Sequence, residues 1–394
     1  MDATRFQHSS AGRVISATQD GLDYWAFVPH PLPPELRYEP AFIRTLSDAD
    51  RALGELAGLG RTMPNPELLI GPFVRREAVL SSKIEGTQTN IADLYAYEAG
   101  QLYLPGMQPS APPEADVQEV FNYVVSLRYG LERLETLPIS RRLIRELHER
   151  LMQGVRGEQA TPGEFRTIQN WIGRSGANLR EAEYVPPPVR ELELCLDALE
   201  RYIHSDDETP PLIRIGQIHY QFEAIHPFRD GNGRIGRLLI TLLLHHWKLL
   251  PAPLLYLSAY FERHRAEYYD RLLAVSERGE WNAWLTFFLR GVAEQSHDAI
   301  SRAKRLQDIQ QQWRKQVTQA RSSALLLRLV DSLFESPVLS ITQASKLLGV
   351  TYPSAQRNVE RLVEAGILRP YNELAYGKAF VADAILQILL EQQK

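Results

Sequence analysis

The stretch HPFRDGNGRIGR, His226 to Arg237, holds one imidazole, one carboxylate, an asparagine between two glycines, and three arginines. A leucine-rich run follows at once, so this charge lies at the mouth of an apolar helix. Gly231 and Gly233 lack Cβ, so with Asn232 they can turn tightly and aim successive backbone N–H groups into one concavity. The helix beginning there adds its unpaired first-turn N–H groups and the positive end of its dipole. Arg234 and Arg237, three apart, share a face of that helix. This set suits an extended polyphosphate better than a single carboxylate. Asp230 would be repelled by phosphate unless a divalent cation bridges the two. Mg²⁺ held by one carboxylate, phosphate oxygens and water is the usual arrangement. His226 is of the residue type that titrates near neutrality, which suits a general base drawing a proton from a hydroxyl that attacks the held phosphate. Singly, each residue has a blander reading: DGNG is a common turn before a helix, and a lone histidine is usually structural. Twelve contiguous residues with roles in one reaction favour chemistry.

Helices must position this loop. Apolar residues recur at helical spacing through IRTLSDADRALGELAGL and PELLIGPFVRREAVLSSKIEGT, the second ending near Gly86. Prolines and acids open another helix at PPEADVQEVFNYVV. Ser140 caps the next one. Residues 161–190 are rich in turn formers with short β-like pieces and read as a hairpin or flap. Helices resume at 190 and run to about 300. Residues 294–320 are polar on most faces and read as a connecting helix. Residues 1–40 read as an irregular, extended, Pro-rich arm. Beyond 321 the order helix, turn at Gly349, helix, stop at Gly366 and two short strands is a winged-helix pattern.

With 394 residues, 44% apolar and 23% charged, the chain has the makings of a globular core. A net charge of −4 excludes a general polyanion binder. The single cysteine, Cys195, excludes an internal disulfide and an all-cysteine metal site, and its amphipathic surroundings make it a buried thiol. The polar N-terminus and the absence of a long uncharged apolar run point to a cytoplasmic protein with no membrane partner.

The stretch resembles the signature of Fic-domain proteins, His-x-Phe-x-Asp/Glu-Gly-Asn-Gly-Arg-x-x-Arg. His226, Phe228, Asp230, Gly231, Asn232, Gly233, Arg234 and Arg237 fill every fixed position. Similarity extends through most of 20–300, including GEFRTIQNWIG, YVPPP and IGQIHYQFEAIHPF. The resemblance implies transfer of AMP from ATP to a Tyr, Ser or Thr hydroxyl of a protein target, either another protein or this chain itself. It implies His226 as base, Asp230 on Mg²⁺, the Gly-Asn-Gly turn and arginines on phosphate, and Phe228 as an anchor in the core. The alternatives on this scaffold are transfer or removal of another nucleotide or phosphate-containing group, or a nucleotide-sensing DNA-binding regulator.

Ser81 and Glu85, in SSKIEGT, resemble the family's inhibitory helix. There the glutamate pairs with the second motif arginine, here Arg237, and occupies the place of the ATP γ-phosphate. A second role for Glu85, positioning water to remove AMP, stays open. The flap at 165–188 resembles the family's target-docking hairpin, with no strong choice among Ile168, Asn170 and Ile172. Tyr268 and Tyr269 correspond to tyrosines lining the adenosine pocket, although Ser276 stands where some relatives have Asn. His219 reads as structural or as support for the site. His245 and His246 point about 100° apart on a helix and read as helix-end residues, not metal ligands.

The expected whole is mainly α: an N-terminal arm and helices over 1–110 carrying the inhibitory motif, a Fic-type helical core over 111–293 with a short β-hairpin flap, a connector at 294–320 and a winged helix-turn-helix domain at 321–394. Arg357, Arg361 and Lys346 lie on or near its recognition helix. Eight Lys/Arg against seven Asp/Glu over 321–394, with Glu360, Glu364 and Glu373 among the acids, make a weak basic footprint. Protein contact, including a homodimer, is favoured there over DNA.

Overall fold

The computed structural model describes residues 1–19, 21–62, 67–98, 114–155, 161–173, 178–319, 324–371 and 379–391. The chain forms two compact units: Met1–Gly54 with Asn122–Pro251 and Leu257–Gln295, and Glu55–Phe121 with Ala252–Tyr256 and Ser296–Lys394.

The first unit opens differently from the expected arm. Strands β1 (Gly12–Gln19) and β2 (Leu22–Pro29) pair antiparallel from Gly12↔Pro29 to Gln19↔Leu22. Val14, Ile15 and Thr18 favour the pleated strand. Gly21, at φ 78°, makes the reversal that residues with Cβ rarely adopt. The Phe27 N–H donates to the Val185 carbonyl at 2.9 Å, and the Phe6, Phe27 and Tyr184 rings meet at 5.7–6.2 Å. The prolines that suggest an extended arm lie mostly beyond β2.

Helices α1 (Pro40–Thr62), α2 (Glu67–Ile84), α3 (Ile91–Glu98) and α4 (Glu114–Arg133) follow. In α5 (Arg141–Leu151) the Ser140 hydroxyl accepts the Leu143 N–H at 3.3 Å, as the expected cap. Cys195 is buried on α6 (Val189–Ile203), and burial pushes its thiol up to about 11. Helix α7 (Pro211–Ile225) is buried on nearly every face, the polar Gln217, His219 and Gln221 included. It packs against α6, β2, α8 (Asn232–His246) and α10 (Arg265–Arg278), with α9 (Ser258–Arg263) ahead of α10. The polar stretch expected as a connector is the latter part of one helix, α11 (Trp281–Gln319). Near the start of α11, Trp284 donates its indole N–H to the Gly216 carbonyl on α7 at 2.9 Å.

In the second unit, α12 (Ala324–Leu333), β3 (Val338–Ser340), α13 (Ile341–Leu348), α14 (Tyr352–Glu364), β4 (Arg369–Pro370), β5 (Ala379–Val381) and α15 (Asp383–Leu390) follow in order. The sheet order is β3-β5-β4, antiparallel throughout. Ser340 and Gln343 form a reciprocal capping box at α13, and Gly349 closes it at φ 68°. Arg302 of α11 is buried, pairs with Asp298 at 2.8 Å, and donates to the Ile388 and Glu391 carbonyls at the end of α15. Arg357 and Arg361 are exposed on α14 beside Glu360 and Glu364, and Lys346 is exposed on α13; Glu373 lies outside the described residues. Among the described residues no helix is long and apolar enough to cross a membrane.

A Cβ at Gly12 would lie 2.5 Å from the Val28 carbonyl oxygen and 2.4 Å from the Phe27 ring, so the hairpin must move to admit one. Gly12→Ala is expected to destabilise the protein by about 1–3 kcal/mol, read as a lower urea midpoint at unchanged m-value.

Candidate functional site

Helix α7 ends at His226, which adopts φ 49°, ψ 60°, the left-handed region. A residue with Cβ holds that conformation only when its surroundings insist. The chain then departs sharply from the helix axis, leaving the His226 ring half-buried at the head of the loop. Its Nδ1 lies 3.3 Å from the Glu223 carbonyl oxygen. A carbonyl facing Nδ1 suits a tautomer with the proton there and the lone pair on Nε2.

The loop beyond is closed by its own asparagine. Asn232 Oδ1 accepts the Phe228 N–H at 2.8 Å, and Asn232 Nδ2 donates to the Phe228 carbonyl at 2.9 Å. Phe228 is fully buried, stacked on His148 at 3.7 Å and 4° and tilted against Phe165 at 5.2 Å. His148 works at both nitrogens: Nδ1 accepts the Gly163 N–H at 2.9 Å, and Nε2 donates to the Asp230 carbonyl at 3.1 Å. Burial pushes the His148 pKa down to about 4, consistent with a neutral ring in both roles.

Asp230 is the loop's outward carboxylate, 52% exposed, with Oδ1 accepting the Gly231 N–H at 2.6 Å. Gly231 is left-handed at φ 76°, and a Cβ there would lie 3.0 Å from Met152 Sδ. It begins α8 with no side-chain cap. The first-turn backbone of that helix, through Asn232 and Gly233, thus opens beside Asp230 and His226. Arg234 and Arg237 follow on α8, both buried, with the Arg234 guanidinium 3.7 Å from Met152 Sδ and 3.9 Å from Asp230 Oδ1. The result is a loop with one exposed carboxylate and one half-buried imidazole, followed by two buried arginines. Such an arrangement suits an anion with several charges.

The flap lies alongside. Ile172 and Tyr184 form an antiparallel bridge, while residues 174–177 lie outside the described residues. Ile168, Trp171 and Ile172 are about two-fifths exposed. Asn170 turns inward, its Nδ2 donating to the carbonyls of His226 (3.3 Å) and Phe228 (2.7 Å). Arg166 donates from Nε to the His226 carbonyl at 3.0 Å, from its backbone N–H to Pro227 at 2.9 Å, and from Nη2 to Pro187 at 2.5 Å.

His219 supports the site from within α7. Its Nδ1 donates to the Gly236 carbonyl at 3.1 Å and its Nε2 accepts from the Tyr268 hydroxyl at 2.8 Å; burial pushes its pKa down to about 3. Tyr268 is buried, stacked on Phe261 at 4.5 Å, whereas Tyr269 is 41% exposed under the Arg265 guanidinium at 5.9 Å. Ser276 faces inward and shares a hydrogen bond with the Tyr220 hydroxyl at 2.9 Å. His245 and His246 occupy the last turn of α8, and no group of three metal-ligating side chains occurs among the described residues.

Ser81 and Glu85 belong to the second unit. Ser81 is buried in the last turn of α2; Glu85 follows the helix in an exposed turn completed by Gly86 at φ 99°. The chain beyond is fixed to α4: the Thr87 hydroxyl donates to Glu119 at 3.3 Å and the Gln88 N–H to Asp116 at 2.9 Å.

Sequence reading assigned no role to His148, Arg166 or Met152. Arg166 and Asn170 lie inside the quoted GEFRTIQNWIG, but nothing in spacing says which residues of a turn-rich stretch face inward. His148 reads only as one residue of an amphipathic helix.

Two family models match the chain: the Fic/DOC family N-terminal model over residues 43–132 and the Fic/DOC family model over 138–244, together half its length. Protein adenylyltransferase Fic of Drosophila persimilis is 32% identical over 129 residues, covering 32% of this chain and 23% of that protein. The Drosophila melanogaster protein of the same name is 30% identical over 129 residues, 32% of this chain and 24% of that one. The chain thus spans about a quarter of the length of the curated relatives it matches. Among solved structures, a Fic family protein from Desulfovibrio desulfuricans G20 is similar at TM-score 0.57 and 20% identity, over 89% of this chain and 98% of that one. Fic-1 from C. elegans is similar at TM-score 0.51 and 20% identity, over 67% and 73%. At such identities the likeness speaks to the fold.

Asn232→Ala removes both Asn232 bonds to the Phe228 backbone and is expected to cost about 2–3 kcal/mol, measured by chemical denaturation. A pH dependence follows from His148. The unfolded ring binds a proton below about 6.5, the folded ring only below about 4. Its stabilisation is therefore complete above pH 6.5 and is lost as pH falls towards 4, at a limiting slope of about 1.4 kcal/mol per pH unit. His148→Gln should flatten the stability–pH curve in that window, leaving the share contributed by His219.

Proposed function

The chain belongs to the Fic/DOC family, and from that premise we propose that it transfers AMP from ATP to a Tyr, Ser or Thr hydroxyl of a protein. The observation that carries this reading is the uncapped start of α8 at Gly231, bracketed by His226 and Asp230 and backed by buried Arg234 and Arg237. The acceptor hydroxyl oxygen attacks the α-phosphorus. Its proton passes to His226 Nε2, the bond from the α-phosphorus to the bridging oxygen breaks, and pyrophosphate leaves. The Gly231–Gly233 backbone, Arg234 and Arg237 hold the phosphates, and Phe228 anchors the loop. Tyr268 and Tyr269 border the nucleoside end.

An Mg²⁺ ion fits the donor set. Asp230 is a single exposed carboxylate, and one carboxylate with phosphate oxygens and water suffices for this ion. When bound, the ion would offset phosphate charge. A protein target docks on the 165–188 flap by adding an extended segment, which brings its hydroxyl to His226. Glu85 restrains the reaction by pairing with Arg237 in the place of the γ-phosphate; this rests on the Ser81–Glu85–Gly86 motif. The domain division at 110, 293 and 320, and the winged-helix reading of 321–394 as a protein-contact unit, belong to the same proposal.

With ATP labelled at the α-phosphate, Glu85→Gly is expected to raise protein labelling above wild type. His226→Ala is expected to lower it by about 10²–10⁴-fold. Unchanged labelling in folded Glu85→Gly would remove the restraint, and full labelling in His226→Ala would remove the base.

A further inference from the structure

The strongest unassigned feature is the set of donors on the backbone around His226. Three successive carbonyls, of His226, Pro227 and Phe228, accept hydrogen bonds from two residues of the flap. Arg166 serves the first two and Asn170 the first and third. The His226 carbonyl takes both, at 3.0 and 3.3 Å.

This matters because His226 is left-handed, at φ 49°. For a residue with Cβ that conformation costs about 1–2 kcal/mol, so the isolated loop would relax towards another backbone geometry and swing the ring with it. Arg166 is nearly fully buried, and its partners are the carbonyls of His226, Pro227 and Pro187, with no carboxylate among them. Burying a guanidinium among carbonyls is a poor way to gain stability but a good way to fix a bend, since a planar fork holds direction as well as distance. Between the two residues, Gln169 is itself pinned. Its N–H donates to Gln19 Oε1 at 2.8 Å, and its Oε1 accepts from the Tyr24 hydroxyl at 3.2 Å. The donors are therefore held from β1 and β2 behind.

We propose that Arg166 and Asn170 are positioning residues that hold His226 in its left-handed conformation and so aim the basic nitrogen, tying the base to the flap. This rests on His226 acting as the base of the proposed transfer. It predicts that the flap and the base move together: a flap displaced at 166–170 would release the ring.

Asn170→Ala and Arg166→Gln separate this from a merely structural role. In the background with measurable turnover, wild type or Glu85→Gly, both are expected to lower kcat at least tenfold. KM for ATP should stay within twofold and the unfolding midpoint within a few degrees, and Arg166→Lys should not rescue. A parallel arm reads His226 without any transfer: the rate of its modification by diethyl pyrocarbonate, followed by peptide mass spectrometry, should change severalfold in both variants. A changed modification rate with no AMP transfer in any variant would keep the positioning role and remove the transfer reading. Modification rates equal to wild type in both folded variants, or kcat unchanged in both, would overturn the proposal.

Discussion

Asn232 holds the Phe228 peptide by its N–H and its carbonyl at once, and the rest of the site depends on that pair of bonds. A loop joining two apolar helices must bury some backbone, and buried peptide groups left without partners are costly. One side chain answers the N–H and the carbonyl of Phe228 together and draws its ring into the interior. With the ring seated against His148 and Phe165, the loop presents chemistry on either side of the anchor. Both are where charge appears: His226 before the anchor, Asp230 and the start of α8 after it.

The same economy governs the histidines. His148 and His219 are each buried, each bridges two backbone or hydroxyl partners, and burial lowers the pKa of both. They are kept neutral so that each can donate with one nitrogen and accept with the other. His226 differs in being half-buried at a helix end, with Nδ1 turned to the Glu223 carbonyl. The three imidazoles thus differ in setting, two buried as fasteners and one half-buried at a helix end, and the difference follows from exposure and partners, not from residue type.

How much of this could be read from the chain follows the range of the interactions. The His226–Arg237 loop was legible because its residues act on one another within a few positions. The helices were legible from apolar spacing, and the Ser140 cap from local chemistry. The β1–β2 hairpin was not: the prolines after it outweighed the β-branched residues within it. His148 and Arg166 escaped because their partners lie 82 and 60 residues away. Tyr268 and Tyr269 show the limit from the other side. Adjacent in sequence, one is buried beneath Phe261 and the other faces solvent, and helical phase alone could not say which.

The central claim is that the loop moves the α-phosphate of ATP and releases the rest. Parallel incubations with ATP labelled at the α- or the γ-phosphate test it directly, on folded protein with a protein acceptor present. The account predicts covalent label from the α-phosphate alone, with the γ-phosphate recovered in pyrophosphate. Covalent label from the γ-phosphate would mean phosphoryl transfer and would contradict it.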